Sequence, residues 1–478
     1  MTVSAIEATN FKGVSYKEAV QKWFSEGNNK YIIEFQSEPL LNSQKYTKSS
    51  VSANSKIISE HNQFKADILG VKSSVKTASA GSNSNEYKIA LNGMAVELTP
   101  WQLLKAMRLS YVKKIHPSRE YQLVLMDSVG IVRANETWET QDSNSDNITG
   151  INSTISIIDT GIDYTHDDLG NCSTAEFLAG TCAKVVGGYD VYNDDADPMD
   201  DQGHGTHCAG IAAANGVVKG VAPGAKLYAY KVFGSSGGAM DFDILRAIEL
   251  SLDPNEDLDT SDRVDVISMS LGGGGDPDDA LSTASDNAVD AGVVVVIAAG
   301  NDGPDLVTVS SPGTSRKAIT VGASCKPSQV GSDIRCRDDD YPSIATFSSR
   351  GSAFGYQKPE VSAPGVMICS TQSSQDTFWQ MYMDDDGTDI HCIDDEHIAI
   401  SGTSMATPHV AGAVALLVQA HPDWTPLQIK AALERTSYDF GYNINVQGRG
   451  QIDVYGASQL TDTPSSGLIT GISNVVYR

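Results

Sequence analysis

From residue 154 onward, short, near-continuous apolar runs recur at intervals and are separated by longer mixed stretches. The runs are ISIID (155–159), KVVGGYDV (184–191), KLYAYKVF (226–233), VDVISMSL (264–271), VVVVIAAGN (293–301) and AITVGA (318–323). Strands that are apolar on both faces belong to a parallel sheet covered by helices on each side. The pattern predicts one large α/β domain of this kind, ending near Ala457. Ahead of it the periodicity differs. Tyr16–Ser25 predicts a short helix, YIIEF (31–35) a strand and residues 56–70 a helix with Ile57, Ile58, Phe64, Ile68 and Leu69 on its apolar side. Val71–Asn85 is rich in Ser, Lys and Asn and predicts an exposed loop. A strand at 87–91, a helix capped by Thr99 with Pro100 in its first turn, and a strand at 110–115 follow. This alternation predicts a small α+β, ferredoxin-like module. The expected organisation is a polar leader at 1–30, the small module at 31–125, the large domain at 126–460 and a polar tail at 461–478.

Charge divides the chain at the same place. The formal net charge is −26, yet residues 1–130 hold 16 Lys+Arg against 11 Asp+Glu, and the remainder 18 against 49. Modules of net +5 and −31 attract one another. The acidic larger part would repel nucleic acid. No run approaches the ~18 apolar residues that span a membrane. The chain is expected to work as a monomer.

None of the seven cysteines precedes Cys172. Neighbouring pairs Cys172–Cys182, Cys325–Cys336 and Cys369–Cys392 would staple surface loops and require an oxidising, extracellular setting. Sequence leaves that connectivity open, and Cys208 is left over. Residues 1–30 show no apolar core of the length an export signal needs.

Three segments carry chemistry: ISIIDTGID with Asp159 at a strand end, DQGHGTHCAG with His204 entering a helix of small residues, and SGTSMATPHVAG with Ser404 at a helix start. A serine nucleophile needs a base, a buried carboxylate to orient that base, and preorganised donors for the oxyanion. Ser404, His204 and Asp159 are candidates for the first three roles, and Asn301 for a side-chain oxyanion donor. A DTG triplet, a Ser at a helix start or an Asn at a strand end is individually weak. The four in the order Asp, His, Asn, Ser, each with flanking glycines, are jointly strong.

These segments resemble the catalytic motifs of the subtilisin-like serine proteases, whose order is Asp, His, Ser. GTHC, with Cys208 four residues after His204, resembles the branch containing proteinase K and thermitase. The resemblance implies a peptide-binding strand around Ser268, Leu271, Gly272 and Gly273. It also implies a specificity pocket walled by these and by Ala298, Ala299 and Gly300. FSSRG (347–351), APGV (363–366) and GRGQIDVYGA (448–457) are further family landmarks. Residues 31–35, 87–98 and 110–116 loosely resemble the family's propeptide, an intramolecular inhibitor. The junction would fall between Glu120 and Ser128, with the bond not chosen. The implied activity is endopeptidase hydrolysis of polypeptides through an acyl-enzyme; a transpeptidase would use the same residues with another acceptor.

The resemblance also implies structural calcium. Acidic clusters at Asp194, Asp195, Asp197, Asp200 and Asp201, at Asp384, Asp385, Asp386 and Asp389, and at Asp394, Asp395 and Glu396 offer oxygen ligands. None completes a D-x-D-x-D-G pattern, so no ligand is assigned. The segment from Ser370 to Ile398 is longer than the family's usual approach to the nucleophile; Cys369 and Cys392 would pin it as a lobe near the cleft that either shapes substrate access or is a tolerated insertion.

Overall fold

The computed structural model describes residues 6–7, 30–40, 51–70, 86–89, 91–117, 120–123, 131–327, 329, 333, 335–336, 342–351, 355–375 and 391–465. The helix expected at Tyr16–Ser25, the loop at 71–85, and Asp384, Asp385, Asp386 and Asp389 lie outside these.

The N-terminal module has strands β1 (Ile6–Glu7), β2 (Lys30–Phe35), β3 (Glu86–Tyr87), β4 (Gly93–Glu97) and β5 (Val112–Pro117) in the antiparallel order β1-β5-β2-β4-β3. Helices α1 (Val51–Phe64), continued by one wider turn over Lys65–Leu69, and α2 (Pro100–Ala106) complete it. Thr99 and Gln102 form the capping box that starts α2. The sheet's two faces have different fates. Tyr31, Ile33, Phe35, Met94 and Ile115 pack with Phe64 and Leu103 into the module's own core. Ile32 and Ala95, on the opposite face, join a second core that continues into the large domain.

The strand expected at 87–91 is cut to Glu86–Tyr87, and the main strand is β4. The reason is a change of partner. Backbone N–H groups of Ile89 and Leu91 donate to the carboxylate of Glu249, far along the chain, instead of to a neighbouring strand.

The large domain is built on seven parallel strands: β7 (Thr154–Asp159), β8 (Val185–Asp190), β9 (Lys226–Lys231), β11 (Val266–Met269), β13 (Val294–Ala298), β14 (Ile319–Ser324) and β15 (Val361–Pro364), in the order β15-β14-β13-β11-β7-β9-β8. Alternate side chains feed opposite layers, as a pleat demands. Val294 and Val296 face the core shared with α3 (His204–Ala213) and α6 (Thr403–Ala420). Val293, Val295 and Ile297 face α4 (Asp241–Leu252) and α5 (Ala280–Asp290), the helices that also receive the N-terminal module. Helix α6 is buried from Thr403 to Leu417, which its Ala/Gly/Val composition permits. A Cβ at Gly412 would stand 2.8 Å from the Ala212 carbonyl oxygen, so glycine lets α6 lie against α3.

The strand order reverses between β7 and β11, the switch point where open α/β sheets bind ligands at their carboxyl ends. A separate three-stranded sheet there joins both modules: β6 (Glu120–Leu123) runs antiparallel between β10 (Ala239–Met240) and β12 (Leu271–Gly272). Strands β16 (Ile368–Thr371) and β17 (His397–Ile400) pair antiparallel and lead into α6. Cys172–Cys182, Cys325–Cys336 and Cys369–Cys392 are bridged, and Cys208 is a buried free thiol. Among the described residues no helix is long and apolar enough to cross a membrane.

Candidate active site

Asp159 is the last residue of β7 and fully buried. Its Oδ1 accepts from Nδ1 of His204 at 2.6 Å and from the Thr160 backbone N–H at 2.8 Å. His204 opens α3 after Gly203, whose φ of 114° favours glycine. Gly205 lets that helix start press on the Asp159 loop, since a Cβ there would lie 2.2 Å from the Gly161 carbonyl oxygen. Burial pulls the imidazole's pKa down, but the adjoining Asp159 carboxylate outweighs it and holds His204 well above the ordinary histidine range.

Ser404 sits in the first turn of α6. Its Oγ donates to the Ser270 carbonyl at 3.1 Å, and Ser270 Oγ donates back to the Ser404 carbonyl at 2.6 Å. Cys208 lies beneath, its sulfur 3.9 Å from His204 Nδ1 and 3.6 Å from the Ser404 carbonyl oxygen. Burial pushes this thiol's pKa up, which keeps it protonated and a poor nucleophile.

Asn301 follows β13 across Ala299 and Gly300. Its Oδ1 accepts from both the backbone N–H (2.9 Å) and the hydroxyl (3.1 Å) of Thr403. With the oxygen committed to the residue before Ser404, the amide N–H₂ is the end left to donate. Gly300, at φ 104°, makes the turn and donates its N–H to Thr403 Oγ1.

Leu271 and Gly272 form β12, the strand that pairs with β6. Gly273 bonds both ways with Ser311. A Cβ on Gly272 would stand 2.6 Å from Ser310 Oγ, and one on Gly300 would stand 3.3 Å from the same atom. Ser310 Oγ therefore lies close to both glycines, and Ala298 and Ala299 are buried. Ser268 is a correction. It lies inside β11, paired to Ile157 on one side and Val296 on the other, so it has no free edge for a peptide. The chain leaves the sheet at Ser270, and the edge strand is Leu271–Gly272. Ser270, Ser310 and Thr403 were not singled out from sequence; SMSLGGG reads as one strand, and no motif marks a lone serine.

The acidic loop spends its carboxylates internally. Asp194 and Asp197 accept from the hydroxyls of Tyr189 and Tyr164, and Asp195 accepts from the Asp197 N–H. Asp201 pairs with buried Lys231 at 2.5 Å. Asp200 takes the N–H groups of Gln202, Gly203 and Thr206 and the Thr206 hydroxyl, which organises the turn that delivers His204. Asp394 bonds His397 and the Glu396 N–H. Among the described residues the one grouping of three possible His, Cys, Asp or Glu metal ligands is Asp159, His204 and Cys208. That set is the directly bonded Asp159–His204 pair with the buried Cys208 thiol beneath it.

The N-terminal module is held by more than β6. Tyr87 donates its hydroxyl to the Phe242 carbonyl at 2.8 Å, and Lys114 donates to the Asp278 carbonyl.

Residues 150–458 match the Subtilase family (peptidase S8), and residues 30–124 match the peptidase inhibitor I9. The chain is 35% identical over 376 residues to serine protease AprX of Bacillus subtilis (strain 168), covering 76% of this chain and 78% of AprX. It is also 35% identical over 364 residues to subtilisin E of the same organism, covering 75% and 77%. The solved structure of fervidolysin from Fervidobacterium pennivorans, a keratinolytic enzyme related to subtilisin, superposes with a TM-score of 0.63 at 22% identity. That superposition covers 92% of this chain and 62% of fervidolysin.

Proposed function

Since the chain belongs to the subtilase family and is a subtilisin-like serine endopeptidase carrying an I9 propeptide, we propose that Asp159, His204 and Ser404 are its catalytic triad and Asn301 its side-chain oxyanion donor. The observation that carries this reading is the 2.6 Å bond between Asp159 and His204, beside a serine tethered to the residue that leads into the peptide-pairing strand.

A polypeptide lies antiparallel to Leu271–Gly272, as β6 does. Ser404 Oγ adds to the carbonyl carbon, and its proton passes to His204 Nε2. Asp159 holds Nδ1–H, fixing the tautomer and stabilising the imidazolium. The tetrahedral oxyanion takes the Asn301 N–H₂ and backbone N–H groups at the start of α6. The C–N bond breaks, and the leaving nitrogen receives the proton from His204. Water, deprotonated by His204, then cleaves the ester and restores the Ser404 hydroxyl. Gly272, Gly273, Ala298, Ala299 and Gly300 wall the pocket for the side chain ahead of the scissile bond.

The proposed divisions are a leader at 1–30, the propeptide at 31–125, the catalytic domain at 126–460 and a tail at 461–478. The chain works as an extracellular monomer on polypeptides, its own propeptide being the first ligand of the cleft. Structural calcium, general in the family, is proposed here without ligands; a thermal midpoint unchanged by chelator would remove it.

The test is intact mass after incubation of the wild-type and Ser404→Ala chains, with labelling by a serine-directed fluorophosphonate. Loss of the N-terminal module and labelling in the wild type alone are expected. Processing by purified Ser404→Ala would overturn the assignment.

A further inference from the structure

Helix α6 opens with the proposed nucleophile and carries a proline one turn further on. In an α-helix the carbonyl of each residue accepts from the N–H four residues later. For Ser404 that position is Pro408, which lies inside α6 and has no N–H. The proline ring also crowds the carbonyl four residues before it. Ser404 is fully buried, and a buried carbonyl without a donor is costly.

Two buried side chains from outside the helix reach that carbonyl. Ser270 Oγ donates to it at 2.6 Å, and the Cys208 thiol at 3.6 Å. The backbone oxygen of Ser270 in turn accepts the Ser404 hydroxyl at 3.1 Å. One residue thus holds the nucleophile both at its carbonyl and at its Oγ. Ser270 follows directly on β11, a central strand paired with β7 and β13, so the hold is anchored in the middle of the sheet.

Resting on the proposed triad, we infer that Ser270 is a positioning residue for the nucleophile, its hydroxyl replacing the helix hydrogen bond that Pro408 removes. The carbonyl of Ser404 marks the backbone rotation of that residue. Anchoring it holds the first turn of α6 in place, and with it the Cα–Cβ bond that aims Oγ at the scissile carbonyl. No proton leaves Ser270 Oγ during the reaction; it acts through Ser404. A misplacement of about 1 Å costs up to about 10²-fold in rate. Cys208 is the longer and weaker of the two donors, since a thiol donates poorly.

The experiment measures the rate of self-processing of the full chain, then kcat and KM of the processed enzyme on a chromogenic peptide. Ser270→Ala is expected to lose about 10–100-fold in kcat and in processing rate, with KM within about twofold. Ser270→Thr and Ser270→Val have the same shape and differ in the hydroxyl, so Ser270→Thr should be the faster by a similar factor even where Ser270→Ala folds poorly. Pro408→Ala restores the missing N–H, so Ser270→Ala should cost several-fold less in a Pro408→Ala background than in the native one. A kcat for Ser270→Ala within twofold of wild type, with Ser404→Ala inactive, overturns the inference and leaves the triad standing. So does an equal rate for Ser270→Thr and Ser270→Val, or a Ser270→Ala loss that is the same in both backgrounds. Turnover by Ser404→Ala overturns the triad and the inference together.

Discussion

Glu249 Oε2 lies 2.8 Å from the backbone nitrogen of Ile89, so a side chain of the catalytic domain completes the hydrogen bonding of the propeptide's main chain. Lys88 and Leu91 donate to the same carboxylate at 3.2 and 3.3 Å. Hydrogen bonds to a charged group contribute about 1.5–3 kcal/mol each, and orphaned buried N–H groups cost comparable amounts. Glu249→Ala should therefore loosen the cleaved propeptide, giving about 10–100-fold faster appearance of peptidase activity after processing. Unchanged appearance kinetics, with processing itself normal, would mean that β6 and the apolar contacts hold the module alone.

The same contact explains what could and could not be read from the chain. Strands β7 and β13 were legible because both faces are buried, so Val293–Ala298 is apolar without interruption and Ile155–Ile158 is broken only by the small Ser156. The Asp159, His204 and Ser404 segments were legible because each needs glycines or small residues packed at fixed offsets around a polar group. Residues 87–91 were not, because their alternation suits a strand while the N–H groups of Lys88, Ile89 and Leu91 are satisfied by Glu249, some 160 residues away. Ser268 was misplaced for a related reason: hydrophobic continuity through SMSL hides the point at which the chain leaves the sheet. Asp200 looked like a cation ligand, yet its carboxylate serves the turn before α3. Composition alone does not separate these uses of a carboxylate.

The pH dependence follows from His204. Asp159 holds the imidazole pKa well above the ordinary range against the pull of burial, and the base must be neutral to take the Ser404 proton. As pH rises through that raised pKa the neutral fraction grows, so kcat/KM should climb along a limb displaced to the alkaline side of 6.5. Asp159→Asn removes the charge that raises it. The limb should then move to lower pH while kcat drops by about 10⁴. A limb that stays in place in Asp159→Asn would separate the titration from His204.

Thr403 fixes Asn301 by its carbonyl end, which makes the opposite end a preorganised donor. A donor of this type is worth about 10²–10³ in kcat, because it acts on charge that develops only in the transition state. Asn301→Ala should lose that factor in kcat and leave KM within about twofold. Thr403→Val should lose less, since it removes the hydroxyl donor to Asn301 but retains the backbone N–H. A KM effect without a kcat effect in Asn301→Ala would place the amide in ground-state binding.

His397 has a carboxylate on each ring nitrogen: Asp168 at 3.0 Å on Nε2 and Asp394 at 2.6 Å on Nδ1. Its side chain is wholly buried, with the His166 ring set edge-on at 5.4 Å. Asp168 also takes the N–H groups of Val217 and Val218, so the imidazolium ties the strand after Cys392 to the loop after α3. Burial lowers the pKa of His397, but the two carboxylates prevail and raise it. The folded state therefore binds the proton more tightly than the unfolded chain. The stabilisation is complete below the unfolded value of about 6.5 and is lost as pH rises through the folded one. Denaturant midpoints of the Ser404→Ala chain, which does not digest itself, should fall as pH rises across that window. His397→Gln should lower the midpoint at pH 6 and flatten the slope above it. An undiminished slope in His397→Gln would assign the pH dependence to other groups and leave His397 a neutral hydrogen-bonding residue.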